Sequence, residues 1–231
     1  MTRQNSPCRS LVASRQFSAT EPAVHVVDDD ESFLAAISRL LRANGFVVRT
    51  YSSADKFFTY RDPNAPGCVL ADLQMPGMNG LELQSALLET TNPLPILFLT
   101  GHGDIPSTVQ AIQCGAEDFL EKCAPKERLM DAVKRALARD YREREARERQ
   151  RELRERLKRL SERELEVLSH VVLGQLNKQI ASDLGIHERT VKLHRTAITT
   201  KLHVQSVAEL TRLTQEAGMF SALARTFPKG Q

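Results

Sequence analysis

A doubly wound α/β domain on a five-stranded parallel sheet, a helical linker and an all-α helix-turn-helix domain is the fold this sequence predicts. Three observations lead there. Short apolar runs alternate with helically spaced apolar residues from Ala23 to about Leu137. The stretch from Arg139 to Arg159 is nearly all charge. From Leu160 onward, capping signatures and glycines mark out helices with no strand between them. The alternation implies βα units, a sheet covered on both faces and right-handed crossovers.

The strands read as Ala23–Val27, Phe46–Tyr51, Cys68–Asp72, Pro95–Thr100 and Phe119–Glu121. Between them Phe33, Ile37, Leu40 and Leu41 recur at helical spacing before Gly45. Leu81, Leu83, Leu87 and Leu88 do the same, as do Val109 and Ile112 before Gly115. In the charged stretch, Glu143/Arg147, Glu145/Arg149, Glu152/Arg156 and Glu155/Arg159 are i,i+4 pairs worth about 0.2–0.5 kcal/mol each. That is the pattern of a solvated helical linker. Ala146, Gln150, Leu153, Leu157 and Leu160 also fall at a/d spacing, which allows a short dimer seam. Ser161 to Glu164 reads as a capping box and Ser206 to Glu209 as a second. After Gly174 come a short helix at Asn177–Leu184, a turn at Gly185, a longer helix at His187–Leu202, and a last helix closed by Gly218. The predicted organisation is a disordered tail at 1–21, domains at 22–137 and 160–218 joined by a linker at 138–159, and a C-terminal tail at 219–231.

A net charge of +3 over 231 residues excludes a polycation, and the useful positive charge is local to the C-terminal part. Cys8, Cys68, Cys114 and Cys123 form no CxxC and pair with no nearby histidine. This argues against a zinc site or a disulfide framework and fits a reducing cytoplasm. No apolar run approaches the roughly 20 residues of a membrane helix. The first 20 residues hold Arg3, Arg9 and Arg15 but no acid, and lack the apolar core of a secretory signal.

Asp72 ends an apolar strand and is followed at once by a Pro/Gly/Asn loop. A second apolar strand ends in Asp28-Asp29-Asp30. Both deliver acids to the C-terminal edge of the sheet, where α/β proteins keep their chemistry. Two unit charges 4 Å apart repel by about 4 kcal/mol at an effective dielectric near 20. Converging carboxylates therefore need a cation or raised pKa values, and hard oxygen ligands favour Mg²⁺. Such a site can take a phosphoryl group on Asp72, with Thr100 offering a hydroxyl and Lys122 an ammonium. Taken singly these residues have blander roles. Asp30 fits a helix N-cap, His102 a loop residue, Thr100 a strand end, and Lys122 a surface lysine. A calcium loop starting at Asp28 fails, because Phe33 and Arg39 stand where Gly and Glu are required. A phosphatase using an aspartyl nucleophile wants an acid two residues on, where this chain has Gln74.

The longer C-terminal helix carries Arg189, Lys192, Arg195 and Lys201 against the lone Glu188. Val191, His194 and Ile198 can face inward while Lys192, Arg195, Thr196 and Thr199 face out. The second helix of this motif enters the DNA major groove. Lys192, Leu193, Arg195 and Thr196 are the expected groove contacts, and Lys178, Arg189 and Lys201 the phosphate contacts.

Val26-Val27-Asp28-Asp29-Asp30, Asp72-Leu73-Gln74-Met75-Pro76, Thr100-Gly101-His102-Gly103-Asp104 and Asp118-Phe119-Leu120-Glu121-Lys122 resemble the receiver domain of two-component systems. Glu164, Gly174, Asn177, Ile180, Ala181, Leu184, Thr190, Val191, His194 and Leu202 resemble the LuxR-type helix-turn-helix. Together they resemble the FixJ group of response regulators. The resemblance implies a sensor histidine kinase as phosphodonor, Asp72 as acceptor, and Mg²⁺ held by Asp29, Asp72 and the Gln74 carbonyl, with Asp28 acting through water. It implies Thr100 and Lys122 at the phosphoryl group and Phe119 as the switch aromatic. It further implies a homodimer formed on phosphorylation, double-stranded DNA as target, no membrane association and a cytoplasmic location. Two positions depart from the family pattern. Cys123, rather than Pro, follows Lys122, so that peptide is either a costly non-proline cis bond or trans in a rearranged loop. His187 replaces the usual Ser cap. The rival function is a phosphorylation-independent DNA-binding regulator, its degenerate receiver controlled by a partner or ligand.

Overall fold

The computed structural model describes residues 21–101 and 105–219, with Ile105 and Ser107 described in backbone only. The expected N-terminal tail, the His102 loop and nearly all of the C-terminal tail lie outside the described residues. The chain divides into two compact units, Met1–Tyr141 and Arg142–Gln231.

The first unit is a parallel sheet of β1 (Ala23–Val27), β2 (Val47–Tyr51), β3 (Gly67–Asp72), β4 (Ile96–Thr100) and β5 (Asp118–Glu121). Their spatial order is β2-β1-β3-β4-β5. Every residue of β1, β3 and β4 is buried, while the edge strand β2 is exposed at Val47, Arg49 and Thr50. This is why the inner strands read as unbroken apolar runs. Alternate residues face opposite layers. Val24, Val26, Leu70 and Leu97 pack with Ile37 and Leu41 of α1 (Glu31–Ala43) and Val133 and Ala136 of α5 (Lys126–Leu157). Val27, Val69, Ala71 and Phe98 pack with α2 (Ala54–Tyr60), α3 (Gly80–Leu88) and α4 (Ile105–Gln113).

Several strands start a residue away from the sequence reading. Phe46, for instance, spends its N–H on the Leu41 carbonyl at the end of α1. The helix α2 has no counterpart in that reading, since it buries only Ala54 and Phe57 and shows no periodic stripe. Val109 and Ile112 do not face the sheet either. They are 47% and 49% exposed, and Ala111 makes the contact instead.

The second unit holds α6 (Glu162–Val172), α7 (Asn177–Leu184), α8 (Glu188–Leu202) and α9 (Val207–Glu216). Leu153, Leu157 and Leu160 are buried in its core with Val167, Leu168, Ile180, Ile198 and Leu202. The three leucines of the a/d spacing are thus taken up inside the helical unit, while Ala146 is exposed and Gln150 half-buried. The expected linker is helical and forms as the continuation of α5, which runs unbroken to Leu157. Of its expected ion pairs Glu143–Arg147 stands at 3.6 Å. Arg149 instead pairs with Glu216 at 3.0 Å, Glu155 with Lys158 at 2.7 Å, and Arg156 donates to the Leu202 carbonyl. The Leu202 carbonyl is a fixed backbone acceptor, so it holds Arg156 at less entropic cost than a flexible partner on the same face. The Ser161–Glu164 capping box forms in both directions. At Ser206 only half of one forms, because the Glu209 carboxylate accepts from Gln205 N–H rather than from Ser206.

His25 sits in the middle of β1, buried, with Nδ1 3.0 Å from the Tyr51 hydroxyl. Burial, reinforced by the charges of Arg49 and Arg61, lowers its pKa from 6.5 to about 4. The folded state therefore keeps His25 neutral while the unfolded chain binds a proton. Its contribution is fully present above pH 6.5 and is lost as pH falls toward 4. The loss is up to roughly 3 kcal/mol. Urea unfolding of wild type and His25→Leu between pH 7.5 and 4.5 checks this. The variant is expected to show a shallower loss of stability with acid, whatever its stability at neutral pH; parallel curves would refute it.

Candidate functional site

The register of the sheet assembles the site. Val27 is level with Ala71, Asp72 with Leu99, and Thr100 with Glu121. Asp28 and Asp29 leave β1, Asp72 ends β3, Thr100 ends β4, and Lys122 follows β5, all at one edge. Gly80 lets α3 begin directly against that edge. A Cβ there would stand 2.5 Å from the Asp72 carbonyl oxygen.

Ligand-capable oxygens of Asp28, Asp29 and Asp72 lie within 4.8 Å of one another. Asp28 and Asp72 are buried and Asp29 is exposed. One oxygen of each buried acid is fixed by backbone. Asp28 Oδ1 accepts from Asp30 N–H at 2.9 Å, and Asp72 Oδ1 from Leu73 N–H at 2.8 Å. The other oxygens face Lys122 Nζ, at 2.7 Å from Asp28 and 3.3 Å from Asp72. The approach to Asp28 Oδ2 is ionic but poorly aligned for a hydrogen bond, so a buried anionic oxygen points into the cluster without full satisfaction. That is the donor set a hard divalent cation takes up. Burial raises the Asp72 carboxyl pKa; Lys122 opposes this and Asp28 adds to it. Burial works against the Lys122 charge, but Asp28 and Asp72 outweigh it and raise its pKa.

Thr100 is buried at the same edge, and its carbonyl accepts Lys122 N–H at 2.8 Å. Phe119 is half-buried, its ring 6.1 Å from that of Phe98. Gln74 stands exposed on the loop after Asp72. Asp30 is the N-cap of α1 and accepts from Ser32 and Phe33 N–H. No peptide among the described residues is cis, so the bond after Lys122 is trans. A turn closed by Ala124 N–H on the Glu121 carbonyl at 2.9 Å follows, and the lysine still reaches both acids. One neighbour escaped the sequence reading. The Phe33 ring lies 4.4 Å from the Lys122 ammonium. Its only sequence signal is an aromatic residue three positions after the capping acid.

In the helical unit α7 ends at Gly185, whose φ of 62° turns the chain into α8. Val191 and Ile198 face inward, His194 is half-buried, and Arg189, Lys192, Leu193 and Thr196 are exposed, as is Lys178 on α7. Leu193, at 65% exposed, is an apolar side chain with nothing of its own unit over it. Arg195 is half-buried and donates from Nη1 to Asn177 Oδ1 at 3.0 Å, so it ties α8 to α7. Lys201 pairs with Glu164 at 2.7 Å, which ties α8 to α6 and competes with any phosphate contact. His187 caps α8 with no side-chain hydrogen bond, and its carbonyl accepts from Thr190 N–H at 2.9 Å.

Residues 24–134 match the response regulator receiver domain, and residues 158–214 the bacterial regulatory proteins of the luxR family. The response regulator protein TodT of Pseudomonas putida is 41% identical over 90% of this chain and 91% of its own length. The chain belongs to the FixJ group of response regulators. The transcriptional regulatory protein FixJ of Azorhizobium caulinodans is 38% identical over 86% of this chain and 94% of its own. Among solved structures, response regulator StyR matches with a TM-score of 0.73 at 44% identity, over 85% of this chain and 100% of that one. Full-length FixJ from B. japonicum matches at 0.53 and 34%, over 87% and 98%. A receiver joined to a LuxR-type DNA-binding domain makes this response regulator a two-component transcriptional regulator.

Glu164 serves the Ser161 cap and the Lys201 pair at once. In urea melts followed in the helical unit, Glu164→Ala is expected to cost about 1–2 kcal/mol, the sum of the lost hydrogen bond from Ser161 N–H and a partly exposed ion pair. No loss would show that neither contact matters.

Proposed function

We propose that phosphorylation of Asp72 switches this regulator between weak and strong DNA binding. The observation that carries the reading is the pairing of a fixed, half-satisfied carboxylate cluster with the Lys122 ammonium at the end of the sheet. Leu73 N–H holds Asp72 Oδ1 and leaves Oδ2 facing the cluster. Asp72 Oδ2 forms a bond to phosphorus while the P–N bond of a phosphohistidine on a sensor kinase breaks. The imidazole nitrogen leaves with the electron pair and takes up a proton from solvent. Asp28, Asp29, Asp72 and the Gln74 carbonyl are the residues that would hold Mg²⁺, which when bound neutralises charge on the transferring group. Lys122 exchanges part of its contact with the acids for the phosphoryl oxygens, and Thr100 donates its hydroxyl to another.

The new charge, about −1.5 to −2, has to be matched by movement of Thr100 and Lys122. Phe119, on the strand that leads into Lys122 and pairs with the strand of Thr100, transmits that shift. Val109 and Ile112 on α4, both half exposed, support the α4-β5-α5 face as the surface on which two subunits pair. The paired helical units then meet half-sites about one helical turn apart on double-stranded DNA. Lys192, Leu193 and Thr196 face the groove, and Lys178 and Arg189 the phosphates. Arg195 and Lys201 reach DNA only by giving up their contacts to Asn177 and Glu164. No helix among the described residues is long and apolar enough to cross a membrane. We place the protein in the cytoplasm, where its kinase and DNA are accessible.

DNA affinity of wild type and Asp72→Asn, each with and without a small phosphodonor, tests the switch. Only the phosphodonor-treated wild type is expected to bind tightly; equal affinity in all four conditions would sink the proposal. Lys178→Ala is expected to weaken binding to all sequences alike and to reduce the salt slope by about 1. Titrations between 50 and 200 mM salt (roughly the range where such slopes are measured) read this out, and an unchanged slope removes Lys178 from the interface.

A further inference from the structure

We propose that the Phe33 ring is a positioning residue for phosphoryl acceptance, holding the Lys122 ammonium over the acid cluster. The proposal rests on the phosphorylation reading above. The loop after Lys122 lacks the proline expected there and runs in trans. Nothing covalent in that loop aims the lysine. Its side chain is nonetheless well placed, 23% exposed and in contact with two acids and one aromatic face.

The ring is itself anchored from both sides. Asp30 caps α1 by accepting from Ser32 and Phe33 N–H at 2.8 and 3.1 Å, which sets the backbone of Phe33 in the first turn. Phe33 then packs against the core shared by β1, β3, β4 and α5, and so does Ala124 of the turn after Lys122. The capping acid beside the cluster thus orients the ring that faces the lysine. An ammonium within about 6 Å of a ring centroid is held by the ring quadrupole, more strongly when partly desolvated. At 4.4 Å the contact is well inside that range. Unlike the acids, the ring gains no charge when Asp72 is phosphorylated and takes up no cation. It can keep the ammonium at the edge of the sheet as the lysine changes partners.

The test separates ring electronics from ring shape. Full-length protein carries phenylalanine with one, two or three ring fluorines at position 33, alongside Phe33→Leu and Phe33→Tyr. Phosphorylation of Asp72 by acetyl phosphate is timed at fixed Mg²⁺. We expect a graded slowing with fluorine number, a loss of about fivefold in Phe33→Leu, and near wild-type rates in Phe33→Tyr. In the unphosphorylated, metal-free protein, the Lys122 ε-methylene protons are expected upfield of an ordinary lysine through the ring current. Those signals at ordinary positions in wild type would overturn the contact. A flat fluorine series would overturn the positioning role. A wild type that takes up no phosphoryl group would instead overturn the phosphorylation reading, with the ring-current result still deciding the contact.

Discussion

Crowded negative charge at the end of a buried sheet is the constraint around which the first unit is arranged. Three carboxylates share a space of less than 5 Å, as the 4.8 Å limit on their oxygens shows, and one ammonium faces them. Nothing in the apolar layers beneath can relieve that repulsion. The relief comes from strand ends. Backbone amides take one oxygen of each buried acid, β5 delivers the lysine, and β1, β3 and β4 stay in register so the groups converge. The excess negative charge is the property a cation or a phosphoryl group can act on. A site balanced internally would have nothing to exchange.

How much of this was legible in the sequence follows from the range of each interaction. The inner strands announced themselves because both faces are buried, so all their residues are apolar except His25 and the strand ends Asp72 and Thr100. Asp28, Asp29, Asp72, Thr100 and Lys122 were readable because strand ends in a parallel sheet share an edge, whatever the details. α2 was not readable, since a helix that buries two residues leaves no periodic trace. Val109 and Ile112 had helical spacing but the wrong orientation, because periodicity reports that a face exists and not what covers it.

The contacts hidden from the sequence are long-range ones made by polar side chains. Arg195 to Asn177, Lys201 to Glu164 and Lys122 to Phe33 each join residues at least 18 positions apart. On a helical wheel Arg195 and Lys201 are simply outward cations. In the folded unit they brace α8 against α7 and α6, and Lys192 pairs with Glu188 at 3.6 Å along the same helix. The proposed reading surface is accordingly narrower than its charge count suggests, with the exposed isobutyl group of Leu193 beside a lysine and a threonine.

The burial of Leu153 and Leu157 has a consequence for how this chain was assembled and how it can be cut. Both lie ahead of the segment that matches the luxR family, yet both fill the core of the helical unit. The folding unit is therefore longer than its recognisable motif. Grafting residues 158–214 onto another receiver would leave a groove where two leucines belong. Any exchange that preserves folding has to carry the last turns of α5 along, together with the arginines that close them onto α9.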